Sequence, residues 1–231
     1  MALDFSSVIT GQYGQMIVDG TVITLELALG AWLLAMVLAL LLVVIRLTEN
    51  RIAVGLVKAY VSYHRNVPTL IQLMMWYFAI PTLLPEALQM WINNFNAEFL
   101  FSLTALGLCQ AAYFSEDIRS GLRAIPDGQN EAARALGMSY VCAMHAVILP
   151  QGVRNALPAM INHTVLLFKN TSLAMVIGVA DLTYVTRDIE NQTFRTFESY
   201  IVATVGYLFF SLLLMGLGAL LARRFHRVYA R

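Results

Sequence analysis

Long apolar runs alternate with shorter polar segments along the whole chain. A helix needs about 20 mainly apolar residues to cross the hydrocarbon core of a bilayer. The runs therefore predict an all-α integral membrane protein, with five transmembrane helices in a single domain that spans residues 1–231. The predicted spans cover about residues 21–45, 69–84, 99–114, 157–180 and 200–222. Prolines surround and interrupt the second span, so its limits are the least regular.

The composition also indicates a membrane protein. Hydrophobic residues make up 59% of the 231 residues and charged residues only 13%, whereas soluble domains are nearer half apolar and a quarter charged. The first twenty residues lack the basic start and apolar stretch of a secretory signal peptide, so we expect no cleavable signal. Cys109 and Cys142 lie in different predicted segments and suggest neither a disulfide framework nor a metal site.

Basic residues occur in alternate connections between the predicted spans. The first span is followed by Arg46, Arg51, Lys58 and Arg65. The third span is followed by Arg119, Arg123, Arg134 and Arg154, and the fifth by Arg223, Arg224, Arg227 and Arg231. Short loops rich in Lys and Arg stay in the cytoplasm. The pattern predicts a multi-pass protein of the bacterial inner membrane, with a periplasmic N-terminus, a cytoplasmic C-terminus and an odd number of crossings.

The connection between the third and fourth spans, about residues 115–156, is longer than a simple turn requires. Apolar residues recur in it at helical spacing, and Pro126-Asp127-Gly128 breaks it into two parts. Pro150 is expected to end the helix that carries Val147, Ile148 and Leu149. The loop is either a helical hairpin on the membrane surface or a docking element for a cytoplasmic partner, and these two interpretations are equally compatible with the pattern.

The stretch EAARALGMSYVCAMHAVILP, residues 131–150, resembles the cytoplasmic coupling motif of ABC importer permeases. Four further stretches resemble the polar amino-acid branch of that family: HRNVPTLIQL at 64–73, AAYFSEDIRSGLRAIPDGQ at 111–129, LPQGVRNALP at 149–158 and LFKNTSL at 167–173. Residues 65–86 are especially similar to permeases of glutamate/aspartate systems. The resemblance implies that the loop rests on an ATP-hydrolysing subunit, through Glu131, Ala132, Ala133, Gly137, Leu149 and Pro150.

The resemblance also implies the partners. They are an ATP-binding subunit dimer on the cytoplasmic face, a second permease subunit of the same or a related chain, a periplasmic solute-binding protein, the amino-acid substrate and the lipid bilayer. The chain contains no phosphate-binding G-x-x-x-x-G-K-[ST] motif, so ATP hydrolysis is expected in the separate subunit and this chain is not expected to be an enzyme. We expect no catalytic residue, cofactor, metal or nucleic acid.

Polar residues within the predicted spans are candidates for substrate contact, because ionisable groups are costly in the membrane. Lys169 lies within the fourth span, and Asn162 lies seven residues earlier on nearly the same helical face. Lys169 either binds a substrate carboxylate or braces the helix bundle. The resemblance places the substrate site in this neighbourhood, so the candidates are Asn162, His163, Lys169, Asn170, Thr171, Ser172 and, from the second span, Gln72.

A cationic or neutral lining suits an acidic amino acid such as glutamate or aspartate, although glutamine or another amino acid is also compatible with it. Two other classes of protein are considered. A secondary amino-acid carrier or channel needs no ATPase, but such proteins often carry internal repeats with paired broken helices, and five spans do not halve evenly. A membrane enzyme is disfavoured because neither H-E-x-x-H nor G-x-S-x-G occurs.

Overall fold

The computed structural model describes residues 3–48 and 50–228, so Arg231 and the side chain of Arg227 in the basic tail lie outside what it describes. Helices account for nearly all of this part, and it contains no strand, which confirms the prediction of an all-α protein. In chain order the helices are α1 Ser6–Ile9, α2 Gly11–Arg46, α3 Arg51–Asn66, α4 Thr69–Leu83, α5 Glu86–Asn93, α6 Ala97–Arg123, α7 Asp127–Ala135, α8 Tyr140–Ile177, α9 Leu182–Thr193 and α10 Thr196–Val228.

Three of these helices, α2, α6 and α10, are long and apolar enough to cross a membrane. The pair α8 and α9, which is bent by 50° at its junction, passes the same test together, and α4 is a shorter apolar helix. Length and composition thus support three or four crossings within the described residues. The first of them, α2, begins at Gly11, well before the predicted start near residue 21.

The helix contacts fix the relative directions of the long helices. Helices α2 and α6 run in parallel, since Gly30 faces Leu103 and Leu34 faces Gly107. The chain must therefore return once between them. It does so through α3 and α4: Val61 packs in one cluster with Ala112 of α6, and the Tyr77 hydroxyl of α4 donates to Glu98, near the start of α6. Together, α3 and α4 form one antiparallel path.

The remaining helices continue this alternation. Helix α8 runs antiparallel to α6, because Asn155 donates to the Gly121 carbonyl while Gly178 lies near Glu98. Helix α10 turns back along α8, as Gly218 faces Ile161. In the described residues the chain therefore makes five passes along the bundle, α2, α3 with α4, α6, α8 and α10, and each pass runs opposite to the one before it.

The surface of α2 that faces the other helices is built from small residues. Ala31, Ala35 and Ala39 recur every fourth residue and are fully buried against the core, whereas Leu29, Leu33, Val37 and Leu40 are at least half exposed. Small residues allow helix backbones to approach closely, which is the usual means of association where lipid replaces water. This arrangement of small residues inside and large apolar residues outside fits a helix in a bilayer.

Helices α3 and α4 are separated at Val67 and Pro68. Val67 is extended, with φ −96° and ψ 131°, as expected for a residue before proline. Gln72 closes this break: its Nε2 donates to the carbonyls of His64 at 3.1 Å and Val67 at 2.7 Å, and its Oε1 accepts from His64 Nδ1 at 2.5 Å. Gln72 is completely buried.

Replacing Gln72 with leucine is expected to destabilise the protein by about 2 kcal/mol or more. The change leaves the His64 ring nitrogen and two buried carbonyls without their partner, and each unsatisfied buried group costs about 1–3 kcal/mol. Thermal unfolding of the purified protein measures the loss. The matched control is Gln15→Leu, whose exposed amide bonds only to Asp19; equal stability of the Gln72 variant and the wild type would contradict the bracing role.

Helices α6 and α8 cross at Gly121 and Gly152. A Cβ on Gly121 would meet the Gly152 carbonyl oxygen and would lie 2.8 Å from the backbone nitrogen of Ala156. Since the obstacles are backbone atoms, neither helix can yield by a side-chain rotation. The two glycines therefore set the distance between the helices on either side of the loop.

The variant Gly121→Ala is expected to lower stability by about 3 kcal/mol, because overpacking against backbone must separate α6 from α8. The control is Gly216→Ala in α10, where no atom lies within 4 Å of the new methyl group. The yield of folded protein after detergent extraction and size-exclusion chromatography measures the effect. A Gly121 variant that matches the Gly216 variant in yield would contradict the close crossing.

The loop between α6 and α8 is a helical hairpin, with α7 as its first arm. The prediction that Pro150 ends the second arm is wrong: α8 starts at Tyr140 and continues through Pro150 and Pro158 to Ile177. A π turn over Met144–Ile148 comes immediately before this proline. The wider turn changes the hydrogen-bond register where Pro150 has no N–H to donate. The predicted boundary near residue 157 thus lies inside a continuous helix.

Candidate functional site

The hairpin presents a surface of small and apolar residues next to one carboxylate. Glu131 and Ala132 are exposed on α7, while Ala133 is buried against the hairpin. Beside them lie three exposed apolar side chains, with exposed fractions of 83% for Leu136, 66% for Tyr140 and 71% for Val141. An apolar cluster that this chain leaves uncovered is typical of a contact surface for another protein.

Gly137 shapes the end of α7. Its φ of +80° lies in the left-handed region, which a residue with a Cβ adopts only with strain. The N–H of Met138 donates to the Ala133 carbonyl at 3.1 Å, and the N–H of Gly137 donates to Arg134 at 2.9 Å. This C-terminal cap turns the chain sharply and sets the angle between α7 and α8. Leu149 and Pro150, the last two residues of the predicted coupling set, are half-buried in α8.

A polar stripe follows one exposed face of α8. Asn155, Asn162 and Lys169 are each exposed and are spaced seven residues apart, which places them on nearly the same side of the helix. Within the described part of the chain, the side chains of Asn162 and Lys169 have no hydrogen bond or ion pair. In a membrane such groups need a partner. The stripe therefore faces a water-filled pathway or another subunit.

His163 borders this stripe and is held from α6. Its Nδ1–H donates to Asp117 Oδ2 at 2.6 Å, and its ring stacks at 5.0 Å on Tyr113, over which the Arg65 guanidinium lies at 5.6 Å. The Asp117 carboxylate is buried. Sequence reasoning missed Asp117, Tyr113 and Arg65. The run FSEDIR did contain the acidic residues, but nothing in it indicated that Asp117 pairs with His163.

The other candidates from the sequence are less accessible. The hydroxyls of Thr171 and Ser172 donate to the carbonyls of Phe168 and Lys169, both at 2.7 Å, where α8 tightens into its 3₁₀ end. Asn170 is half-buried beside Lys169, and the amide of Gln72 bonds only within the α3–α4 break. The structure thus brings Asn162, His163 and Lys169 to one polar region and leaves Gln72 away from it.

Neighbouring side chains fix this polar region in place. Trp32 Nε1 of α2 donates to Thr164 Oγ1 at 3.0 Å, directly after His163. In the described residues no three His, Cys, Asp or Glu side chains come close enough together to hold a metal ion. The arrangement brings together amide, imidazole and ammonium groups, which are able to form hydrogen bonds with a small polar solute.

The family described as "Binding-protein-dependent transport system inner membrane component" matches residues 31–227. The chain is 33% identical over 213 residues to the glutamate/aspartate import permease protein GltJ of Escherichia coli (strain K12), a match that covers 89% of this chain and 85% of GltJ. It is 32% identical over 224 residues to the arginine transport system permease protein ArtQ of Bacillus subtilis (strain 168), covering 97% of this chain and 98% of ArtQ.

Solved structures agree with these relatives. The crystal structure of an amino acid ABC transporter with histidines has a chain that is 32% identical and superposes with a TM-score of 0.85, covering 97% of this chain and 100% of that one. An inward-facing MetNI methionine ABC transporter, at 17% identity and a TM-score of 0.71, shares the fold. The chain therefore belongs to the family of inner membrane components of binding-protein-dependent transport systems, and it is the permease subunit of an amino-acid ABC importer.

Proposed function

We propose that this permease imports acidic amino acids, glutamate or aspartate, from a periplasmic solute-binding protein into the cytoplasm. The observation that carries the substrate class is Lys169, an exposed ammonium group on α8 that has no carboxylate partner in the described structure. The two carboxylates near the polar region are already engaged: Asp117 with His163, and Glu116 with Arg46 and Arg119. The Lys169 ammonium group is therefore left to pair with a substrate carboxylate.

The polar stripe of α8 is the proposed substrate path. Lys169 binds a carboxylate of the substrate, and Asn162 offers both an amide carbonyl for the ammonium group and an amide N–H for a carboxylate oxygen. His163 lines the path with its ring edge while Asp117 holds its orientation. Asn170 extends the lining. Thr171 and Ser172 support the path through their bonds to backbone carbonyls, whereas Gln72 stabilises the α3–α4 break away from it.

We propose five crossings, with the N-terminus in the periplasm and the C-terminus in the cytoplasm. The alternating directions of α2, α3 with α4, α6, α8 and α10 support that number, and the arginines of the hairpin and tail support that orientation. The whole of residues 1–231 then forms one transmembrane domain. A single stripe of polar residues makes only one wall of a pathway, so a second permease subunit supplies the opposite wall.

The hairpin is the proposed contact with an ATP-hydrolysing subunit. Glu131, Ala132 and Gly137 lie on or beside the exposed surface, and Ala133, Leu149 and Pro150 hold that surface on α8. Nucleotide binding closes two ATPase subunits, and the hairpin transfers this motion to α6 and α8 through their glycine crossing. Energy enters because nucleotide binds differently to the outward-open and inward-open states.

An uptake assay tests this function. The permease is reconstituted in vesicles with its ATPase and binding protein, and labelled glutamate, aspartate, glutamine and arginine are compared with and without internal ATP. We expect ATP-dependent uptake of glutamate or aspartate well above that of arginine. Preferential uptake of arginine or glutamine would overturn the substrate class, while uptake by the permease alone without ATP would indicate a secondary carrier.

A further inference from the structure

A polar cavity lies beside the proposed substrate path. Its volume is about 520 Å³, and it lies between the end of α2, one flank of α3 and the last third of α6. The lining residues are Arg46, Lys58, Val61, Ser62, Arg65, Asn66, Glu116 and Arg119. None of them belongs to α8, so the cavity is a different site from the Asn162–Lys169 stripe.

The charges in this cavity are unbalanced. Four cationic side chains line it, and Glu116 is the single carboxylate among the lining residues. Glu116 is shared by two of them: Arg46 pairs with Oε1, and Arg119 Nε donates to Oε2 at 3.0 Å. In the described structure Lys58 and Arg65 have no carboxylate partner. The cavity therefore carries a positive excess that favours an anion.

Arg46 is nearly buried at the edge of the cavity. Its side chain is only 10% exposed, and its Nε is buried without a hydrogen-bond partner. A buried unsatisfied donor of a charged group is costly. Arg46 is one of the residues that line the cavity, so its cationic side chain forms part of the cavity wall.

The surroundings favour a lipid over a soluble anion. Val44 and Leu47, next to Arg46 in sequence, are 60% and 56% exposed, and Leu56, two residues before Lys58, is 67% exposed. Arg46 ends α2, and Arg119 lies one turn from the end of α6. In the proposed orientation, these ends lie at the depth of the inner-leaflet headgroups. Basic pockets between transmembrane helices on the cytoplasmic side suit anionic headgroups.

We propose that this cavity binds the phosphodiester headgroup of an anionic inner-leaflet phospholipid, with its acyl chains along the exposed apolar residues of α2 and α3. Arg46, Lys58 and Arg65 hold the phosphate, while Ser62 and Asn66 offer hydrogen bonds to the rest of the headgroup. A lipid bound there joins the ends of α2, α3 and α6 beside the hairpin. The cavity adjoins the substrate path, because Arg65 lies over the Tyr113 ring that contacts His163, but none of its lining residues is a proposed substrate contact.

The test uses the purified importer complex in neutral detergent, with phosphatidylglycerol, phosphatidylcholine, inorganic phosphate and glutamate as probes. Native mass spectrometry counts bound lipid, and thermal unfolding gives the apparent affinity. The variant Lys58→Gln/Arg65→Gln is compared with Arg51→Gln, which removes an exposed charge at the start of α3 outside the cavity. The single variant Lys58→Gln provides the same comparison without disturbing the stack of Arg65 on Tyr113.

We expect the wild type and the Arg51 variant to retain phosphatidylglycerol in preference to phosphatidylcholine. The double variant is expected to bind it at least roughly tenfold more weakly, and Lys58→Gln roughly fivefold more weakly, since each cation near an anionic headgroup contributes a similar factor. Equal retention by Lys58→Gln and the wild type would overturn the proposal. Equal binding of both lipids would overturn it too, as would displacement of phosphatidylglycerol by phosphate or glutamate at equal concentration.

Discussion

Replacing Glu131 with glutamine together with Gly137 with alanine is expected to uncouple ATP hydrolysis from uptake. Alanine at a φ of +80° costs about 1–2 kcal/mol and changes the angle of the hairpin, while glutamine removes the exposed charge from its docking surface. A coupling free energy of about 1–3 kcal/mol corresponds to roughly 5- to 150-fold, so we expect uptake to fall within that range while the ATPase subunits still hydrolyse ATP. Uptake and ATP hydrolysis are measured on the same vesicles.

The hairpin offers its own control for this experiment. Gly128 lies in the first turn of α7, its φ is not positive, and a methyl group added there meets no atom within 4 Å. Gly128→Ala should therefore leave both activities unchanged. Membrane insertion of the double variant should also match the wild type. Normal ATP-driven uptake in the double variant would count decisively against the coupling role of this surface.

Replacing Lys169 with glutamine is expected to reduce glutamate or aspartate uptake by about 30- to 100-fold. The change removes one charge-assisted hydrogen bond to a substrate carboxylate, which is worth about 2–3 kcal/mol. Transport of a neutral amino acid, where it is measurable, should fall less. Such a substrate has only one carboxylate, whereas glutamate and aspartate have a second one that needs a cationic partner. The measurement is initial uptake rates over a range of substrate concentrations.

The control for Lys169 is arginine at the same position. Lys169→Arg keeps the positive charge on an exposed side chain and should retain much of the uptake, because the charge that binds the substrate carboxylate is still present. Stability of both variants is followed by thermal unfolding. Loss of stability in Lys169→Gln with an unchanged ratio of glutamate to glutamine transport would assign Lys169 to bracing the bundle.

The sequence predicts the long, mainly apolar helices but misses α3. Runs such as residues 21–45 identify α2 because lipid requires unbroken apolar length. Helix α3 is not predicted as a membrane segment because Lys58, His64 and Arg65 interrupt its apolar residues. In the proposed five-crossing arrangement, α3 belongs to a crossing only together with α4, which follows Pro68 in the same direction, and this continuation depends on the hydrogen bonds of Gln72.

The candidate site is predictable only as far as one helix determines it. The spacing of Asn162 and Lys169 places them on one face of α8, and that placement can be read from the sequence. The pairing of His163 with Asp117 depends on the axial offset between α6 and α8, which is set by the close contact of the two helices at Gly121 and Gly152. The cavity around Arg46 likewise forms only when three helix segments meet. No local sequence pattern indicates contacts of this kind, because they form between helices that are distant in sequence.

Cross-linking of the hairpin to the ATPase tests the central assignment most directly. A single cysteine is placed at the exposed Ala132, with the exposed native Cys142 changed to serine and the buried Cys109 left in place. A cross-linker with a thiol-reactive group at one end and a photoreactive group at the other should join the permease to the ATPase subunit through Ala132→Cys, and the same reagent on Phe194→Cys at the opposite end should not. Labelling of Ala132→Cys by a membrane-impermeant thiol reagent from outside intact cells, with no ATPase adduct, would contradict the coupling role.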